Sequence, residues 1–260
     1  MDKKVVVITG ASSGIGAALA RLLGSAGHSV ILAARREQQL GDIAGDIGDN
    51  AVAVKTDVTR REDIDHLKQV ALETFGRIDV WINNAGRGIT RPVLALTDDD
   101  VEEMMSVNMK SALYGMQTIV PYFQDRDAGH LINVSSFLGR VPLVSFRSIY
   151  SASKAALNML TACLRMDLRE KFPDIHISLV MPGVVMTEFH KNALGGQPQQ
   201  TPGARRSTMN AQTPEEVAEV IADLLEHPKS EVYTNPALPE IARRYREDVD
   251  AFEQAMISGR

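Results

Sequence analysis

Val5-Val6-Val7-Ile8-Thr9-Gly10-Ala11-Ser12-Ser13-Gly14-Ile15-Gly16 runs directly into Ala17-Ala18-Leu19-Ala20-Arg21-Leu22-Leu23. The opening β-branched run has no polar interruption, the pattern of a strand covered on both faces in a parallel sheet. The closing run has the apolar spacing of a helix. Between them, glycines let another group approach the backbone, and free N–H groups at the helix start, with the helix dipole, favour a phosphate. Ser12 and Ser13 add hydroxyl donors. The spacing is Gly-x-x-x-Gly-x-Gly, not the G-x-G-x-x-G of the common dinucleotide fingerprint. Gly10-Ala11-Ser12-Ser13-Gly14 also satisfies G-x-S-x-G, the nucleophile elbow of α/β-hydrolases. An elbow serine needs earlier strands to place it centrally in the sheet, whereas this motif follows the first strand, and it leaves Gly16 without a role. A purely structural glycine turn is the third reading. Phosphate binding by Gly10, Ser12, Ser13, Gly14, Ile15 and Gly16 accounts for most of the residues.

Composition sets the outer limits. The chain has 260 residues, 44% hydrophobic and 23% charged, with a formal net charge of -5. That is an ordinary globular composition, long enough to bury a large core in one α/β domain. The acidic balance, with a pI near 5.7, argues against a nucleic-acid surface or an anionic membrane as partner. The apolar run after Lys3-Lys4 is too short for a signal-peptide core or a membrane span. The single cysteine, Cys163, cannot form an internal disulfide and fits a reducing compartment. A cytoplasmic protein is expected, with Cys163 packed inertly in the core.

Past the glycine turn, strand and helix patterns alternate. Ser29 to Ala33 reads as the second strand and ends at Ala34-Arg35-Arg36. In a dinucleotide site this strand end meets the adenine ribose, where an acid binds a 2′-hydroxyl and an arginine accommodates a 2′-phosphate. Ala34 holds the place of the acid and two arginines follow, which favours NADP over NAD. The alternative is that the same arginines are the solvated start of a helix over Glu37 to Ile47. The third strand, Ala51 to Lys55, leads to Asp57 and Val58. Asp57 either accepts from the adenine amino group or caps the turn. The fourth strand, Ile78 to Ile82, ends in Asn83-Asn84-Ala85-Gly86, small enough for close approach of a ligand to the backbone. The alternative is that the asparagines only satisfy strand-end backbone groups. A long helix is expected from Asp98 to about Phe123, with acids in its first turn. Asn108 in its middle competes with the backbone's own bonding and needs a reason. Gly129 to Val134 is the fifth strand, ending in Ser135-Ser136. The alternation implies a doubly wound parallel sheet of Rossmann type, three layers deep (α/β/α), in a single domain. Ligand and chemistry belong at the C-terminal ends of its strands.

Tyr150-Ser151-Ala152-Ser153-Lys154 opens a helix with no Pro or Gly until Pro173. Residues four apart share a helical face, so phenol and ammonium are neighbours. A cation within a few ångströms lowers a phenol pKa from ~10 by about 1–3 units, as a general acid–base near neutral pH needs. An interfacial Tyr beside a solvated Lys would have the same pattern.

Taken together, Thr9-Gly10-x-x-x-Gly14-Ile15-Gly16, Asn84-Ala85-Gly86, Asn108, Ser136, Tyr150-x-x-x-Lys154 and Pro182-Gly183-Val184-Val185-Met186-Thr187 occur in a familiar order. The chain resembles the short-chain dehydrogenase/reductases from its start to about residue 235. The resemblance implies Tyr150 as acid–base on the substrate oxygen and Ser136 as its hydrogen-bonding partner. It implies Lys154 as the residue that lowers the phenol pKa and holds the nicotinamide ribose. Asn108 would help place a water for proton relay to Lys154. Thr187 and the Val185 backbone would hold the carboxamide, with Pro182 and Gly183 beside them. Dimers or tetramers are implied, and no metal; the six histidines show no ligand spacing.

Three features depart from the family pattern. The interval from Ser136 to Tyr150 is one residue longer than the commonest, with Ser135 as the fallback. Val232-Tyr233-Thr234-Asn235-Pro236 replaces a glycine turn after the last strand. Residues 239–260 are additional, and Ile241, Tyr245, Val249, Phe252 and Met256 recur there at helical spacing. That tail either packs on its own subunit, borders the substrate site, or reaches a neighbouring subunit.

Glu188 to Thr213 is polar and rich in Gly and Pro, as befits a lid. Phe137, Leu138, Val141, Leu143, Val144, Phe146, Met186 and Phe189 would line an apolar pocket. Ser136, Phe137, Leu138, Tyr150, Met186 and Phe189 are the expected substrate contacts, and a medium-sized hydrophobic ketone or secondary alcohol is the expected substrate. The helix from Ala155 to Leu168 is apolar around so much of its circumference that a partner subunit is expected on one side. The expected function is NADP-dependent interconversion of a carbonyl and an alcohol, run as a reductase. A non-catalytic NADP-binding regulator and a serine hydrolase using Ser12 are the alternatives.

Overall fold

The β-branched run after Lys4 forms β1 (Val5–Thr9), and every residue of it is buried. Side chains alternate across a strand, so Val6 and Ile8 enter one core and Val5 and Val7 enter another. The computed structural model that shows this describes residues 2–190, 193–196 and 211–258. The elements follow in the order α1 (Gly14–Ser25), β2 (Ser29–Ala34), α2 (Glu37–Ile47), β3 (Ala51–Lys55), α3 (Arg61–Phe75) and β4 (Val80–Asn83). Next come α4 (Asp98–Met105), α5 (Ser111–Arg126), β5 (Gly129–Val134), α6 (Ser148–Leu168), β6 (Ile175–Met181), α7 (Pro214–Asp223) and β7 (Glu231–Tyr233).

The strands make one seven-stranded sheet in the order β3-β2-β1-β4-β5-β6-β7, with every pairing parallel. Residues of α1, α2 and α7 fill the core on one face. Residues of α3, α5 and α6 fill the other, around Trp81 and Phe123. This is the expected doubly wound α/β sandwich. Strand order reverses between β1 and β4, and a crevice opens there at the C-terminal strand ends.

Three local expectations need correction. The helix from Asp98 is not continuous: α4 and α5 are separated by a π-helical turn at Ser106–Lys110, which contains Asn108. Such turns are frequent at functional sites. Cys163 is exposed, not packed in the core. It lies on the outer face of α6 with Met159 and Met166, which are 66% and 77% exposed, while Tyr150, Lys154, Leu157 and Thr161 face inward. The tail is two helices rather than one, α8 (Leu238–Glu247) and α9 (Val249–Ser258). Asp248 is extended, and its carboxylate accepts from the Ala251 N–H at 2.9 Å, starting a second helix where the first stops. Ile241, Tyr245 and Phe252 pack inward, but Val249 and Met256 are largely exposed.

Candidate active site

The crevice at the strand ends is a cleft of about 1590 Å³ that runs from Arg36 to α9. At one end, Gly10 takes φ +67°, a left-handed conformation, as the chain turns off β1. Gly16 is needed for space: a Cβ there would lie 2.5 Å from the Gly10 carbonyl oxygen and 2.6 Å from Asn84 Nδ2. Asn84 joins two strand ends, its Nδ2 donating to the Thr9 carbonyl at 2.9 Å and its N–H to Thr9 Oγ1 at 3.0 Å. The Ala85 N–H donates to the same hydroxyl. Satisfying strand-end backbone groups is therefore the visible work of Asn84.

Ser13 is the N-cap residue of α1, yet its side chain makes no capping bond. Its hydroxyl accepts from Arg36 Nη2, and the Ser12 hydroxyl accepts from Arg36 Nε at 3.1 Å and Nη2 at 2.9 Å. The first N–H groups of α1, which no helix satisfies internally, are thus left for an anion, with a guanidinium in front of them. Arg35 lines the same end. Arg36 binds Ser12 as a donor and cannot serve as a base, and among the described residues no histidine lines the cleft. The hydrolase reading of Ser12 has no support here.

Asp57 accepts from the Thr59 N–H at 3.0 Å and from the Thr59 hydroxyl at 2.7 Å, so it caps its turn, and it also lines the cleft beside Val58. Burial pushes its pKa up. The Thr59 bonds and the charges of Arg35 and Arg60 outweigh that and hold it below the ordinary carboxylate value.

At the other end stands Tyr150, 8% exposed, with its ring edge-on to Phe189 at 5.7 Å between centroids. Burial raises the phenol pKa; a hydrogen bond with Ser136 and the charge of Arg147 oppose it without reversing it. The phenol is therefore protonated at neutral pH. Lys154 is 3% exposed and donates from Nζ to the Val134 carbonyl at 3.0 Å. Burial lowers its pKa to about 8. Arg147, outside the Tyr150-x-x-x-Lys154 spacing, is one cation whose charge lowers the phenol pKa.

Asn108 sits behind Gly86. Its Oδ1 accepts from the Arg87 N–H at 2.8 Å, and its Nδ2 donates to the Arg87 carbonyl at 3.0 Å and to Ser153 Oγ at 3.1 Å. A Cβ on Gly86 would lie 3.2 Å from Asn108 Oδ1 and 3.5 Å from Lys154 Nζ, so the two groups converge at that glycine. Ser135 is turned into the structure, donating to Asn158 Oδ1 at 2.5 Å, while Asn158 donates to the Gly139 carbonyl at 3.0 Å. Ser136 lines the cleft together with Tyr150, and the additional residue falls in the loop from 137 to 147.

Phe137, Leu138, Leu143, Val144, Phe146 and Phe189 line the apolar end, with Pro182, Gly183, Val185 and Thr187 between it and the glycine turn. Two expected wall residues do not. Val141 is buried beneath, against Leu238 of α8. Met186 is 58% exposed and outside the wall; the Thr187 N–H donates to the Val185 carbonyl at 2.9 Å, a tight turn with Met186 at its tip while Val185 and Thr187 line the cleft. The sequence reading missed Arg147 in this wall, and it left open what the tail does. Ile241, Phe252 and Met256 of α8 and α9 close the far side. Of the expected lid, residues 191–192 and 197–210 lie outside the described residues. Its first part is tied down where Leu194 N–H donates to the Gly88 carbonyl at 2.9 Å and Thr90 N–H to the Leu194 carbonyl at 2.8 Å.

The short chain dehydrogenase family model matches residues 4–197. The chain belongs to the short-chain dehydrogenases. It is 35% identical over 246 residues to the uncharacterized oxidoreductase YxnA of Bacillus subtilis (strain 168), covering 93% of this chain and 68% of that one. It superposes with TM-score 0.85 and 28% identity on a short-chain dehydrogenase/reductase from Burkholderia phymatum in complex with NAD, covering 96% of this chain and 95% of the other. The closed form of a serine dehydrogenase complexed with NADP+ gives TM-score 0.78 at 27% identity, with 90% and 95% covered. As a short-chain dehydrogenase, the protein is an NAD(P)-dependent oxidoreductase, and the non-catalytic reading falls away. No helix of the described residues is long and apolar enough to cross a membrane.

Proposed function

We propose that this dehydrogenase is an NADP(H)-dependent reductase of medium-sized hydrophobic carbonyl compounds, with Tyr150 as the general acid. The observation that carries the reading is a buried, protonated phenol sharing the wall with Ser136, at the apolar end of a cleft whose other end is Arg36 on Ser12 and Ser13. The residues fit a dinucleotide: a glycine turn too tight for a Cβ at Gly16, an open helix N-terminus, and arginine at the strand end. Bound there, the reduced nicotinamide supplies a hydride to the carbonyl carbon. Ser136 orients the carbonyl oxygen toward Tyr150, which gives up its proton as charge develops on that oxygen. Lys154, which donates to the Val134 carbonyl, would bind the nicotinamide ribose and return a proton, with Asn108 near it across Gly86. Relatives bound to NAD and to NADP+ both exist, so the preference for NADP rests on Arg35 and Arg36.

Fluorescence titration with NADPH and NADH, followed by a panel of carbonyl compounds, tests both parts. Tighter NADH binding overturns the role of the arginines. Turnover of small polar sugars alone overturns the substrate class. The exposed Met159, Cys163 and Met166 on α6 support a homodimer or homotetramer through that face; light scattering at 28.4 kDa would contradict it. The single cysteine supports a cytoplasmic location.

A further inference from the structure

Arg147 belongs to none of the motifs that identify the family, yet it stands one helical turn before Tyr150, as the N-cap residue of α6. It is 6% exposed and lines the same cleft. Its Nη1 donates to the Ile89 carbonyl at 3.0 Å, on the loop that follows Gly86. Gly88 of that loop has no room for a side chain: a Cβ would lie 2.8 Å from the Phe189 ring and 2.9 Å from Arg147 Nη1. Phe189 in turn stands edge-on to Tyr150. Guanidinium and Phe189 ring meet at this glycine, and the same ring packs on Tyr150, which shares the cleft wall with Arg147. Burial lowers the pKa of Arg147 and the charge of Tyr150 opposes this, but a guanidinium remains charged in proteins. A charge held in a dry site acts strongly on its neighbours because little water screens it.

We propose that Arg147 is the electrostatic partner of Tyr150: a fixed positive charge that stabilises the phenolate while the phenol proton resides on the substrate oxygen. The inference rests on Tyr150 being the proton donor. In reduction the phenol O–H bond breaks as the substrate O–H bond forms, and the electron pair of the new C–H bond arrives with the hydride. In alcohol oxidation the phenolate must form first, so the rate rises with pH through its deprotonation. Arg147 acts through Tyr150 and is a positioning residue.

The test is the pH dependence of kcat/KM for alcohol oxidation, with NADPH affinity measured in parallel. R147Q and R147M should move the rising limb up by about one pH unit while NADPH binds as in the wild type. R147K, which keeps the charge, should leave the limb near its original position. An unmoved limb in the uncharged variants, or R147K shifting as far as R147Q, would overturn the proposal. A loss confined to the KM of acidic substrates with the limb unmoved would also overturn it, assigning Arg147 to the substrate's charge. If neither uncharged variant folds, G88A supplies the second measurement, since a methyl there displaces the guanidinium and must raise the limb. Failure of the proton-donor reading is separate: it would show as turnover retained in Y150F.

Discussion

Arg36 gives the residue scale its clearest prediction. Its guanidinium already lies on the Ser12 and Ser13 hydroxyls at the mouth of the glycine turn, where a 2′-phosphate would meet it with no side-chain search. A hydrogen bond to a charged group is worth about 1.5–3 kcal/mol, so Arg36→Ala should weaken NADPH about 10- to 100-fold. NADH affinity should stay near wild type; equal losses for both nucleotides would refute the assignment. Tyr150→Phe should lower turnover by about 100-fold or more while NADPH still binds, as fluorescence titration would report. Tyr150 stands out in the sequence by its interval to Lys154 at a helix start, and Arg36 by following the second strand where an acid is expected. Arg147 does not, because an arginine before a helix is ordinarily solvated, and its packing against the loop at Gly88 and Ile89 is a tertiary contact. Met186 failed for another reason: it stands at the tip of a tight turn closed by the Thr187 N–H on the Val185 carbonyl, and residue type does not report that turn.

At the scale of elements, β1 and the turn into α1 were readable from a handful of residues, since a strand buried on both faces leaves a continuous β-branched run. The face of α6 was harder. A helix apolar around most of its circumference does not say which side meets the sheet, so Cys163 was placed inside and is outside. The tail was read as one stripe, although a single Asp248 side-chain bond divides it. Phe252 is 9% exposed and packs edge-on to Tyr245, in the cluster that joins α8 to Phe137 and Val141. Truncating a buried phenylalanine costs about 3–5 kcal/mol locally. Phe252→Ala should therefore free the end of the chain, seen as faster trypsin cleavage after Arg243 or Arg244. KM for hydrophobic ketones should rise while NADPH affinity is unchanged. A tail that stays protected, with KM unaltered, would exclude α9 from the substrate site.

For the whole molecule, stability in acid depends on a histidine far from the cleft. His130 on β5 is buried, with Nε2 2.8 Å from the Ser178 hydroxyl, whose own proton goes to the Lys229 carbonyl. Nε2 must therefore carry hydrogen, and the ring is neutral. Burial foremost, and then His176, lowers its pKa from 6.5 to about 3. A depressed folded-state pKa means that the unfolded chain binds more protons between those values. The stability is fully present above pH ~6.5 and is lost as pH falls toward ~3. From pH 7.5 to 4.5 the loss is about 2–3 kcal/mol, measurable as a fall in the urea midpoint. In H130Q that additional fall should vanish, whatever the starting stability; an equal fall in both proteins would rule His130 out.

The π turn between α4 and α5 adds one residue to a helical path, and one residue turns a helix by about 100°. Everything from Ser111 onward is therefore out of phase with Asp98 to Met105. Deleting a single residue from 106–110 would repair the helix and misalign the protein: with α5 held on the sheet, Met104 would swing away from its packing against Ile89 and Tyr150. In this family member, a perfectly regular helix would be the defect.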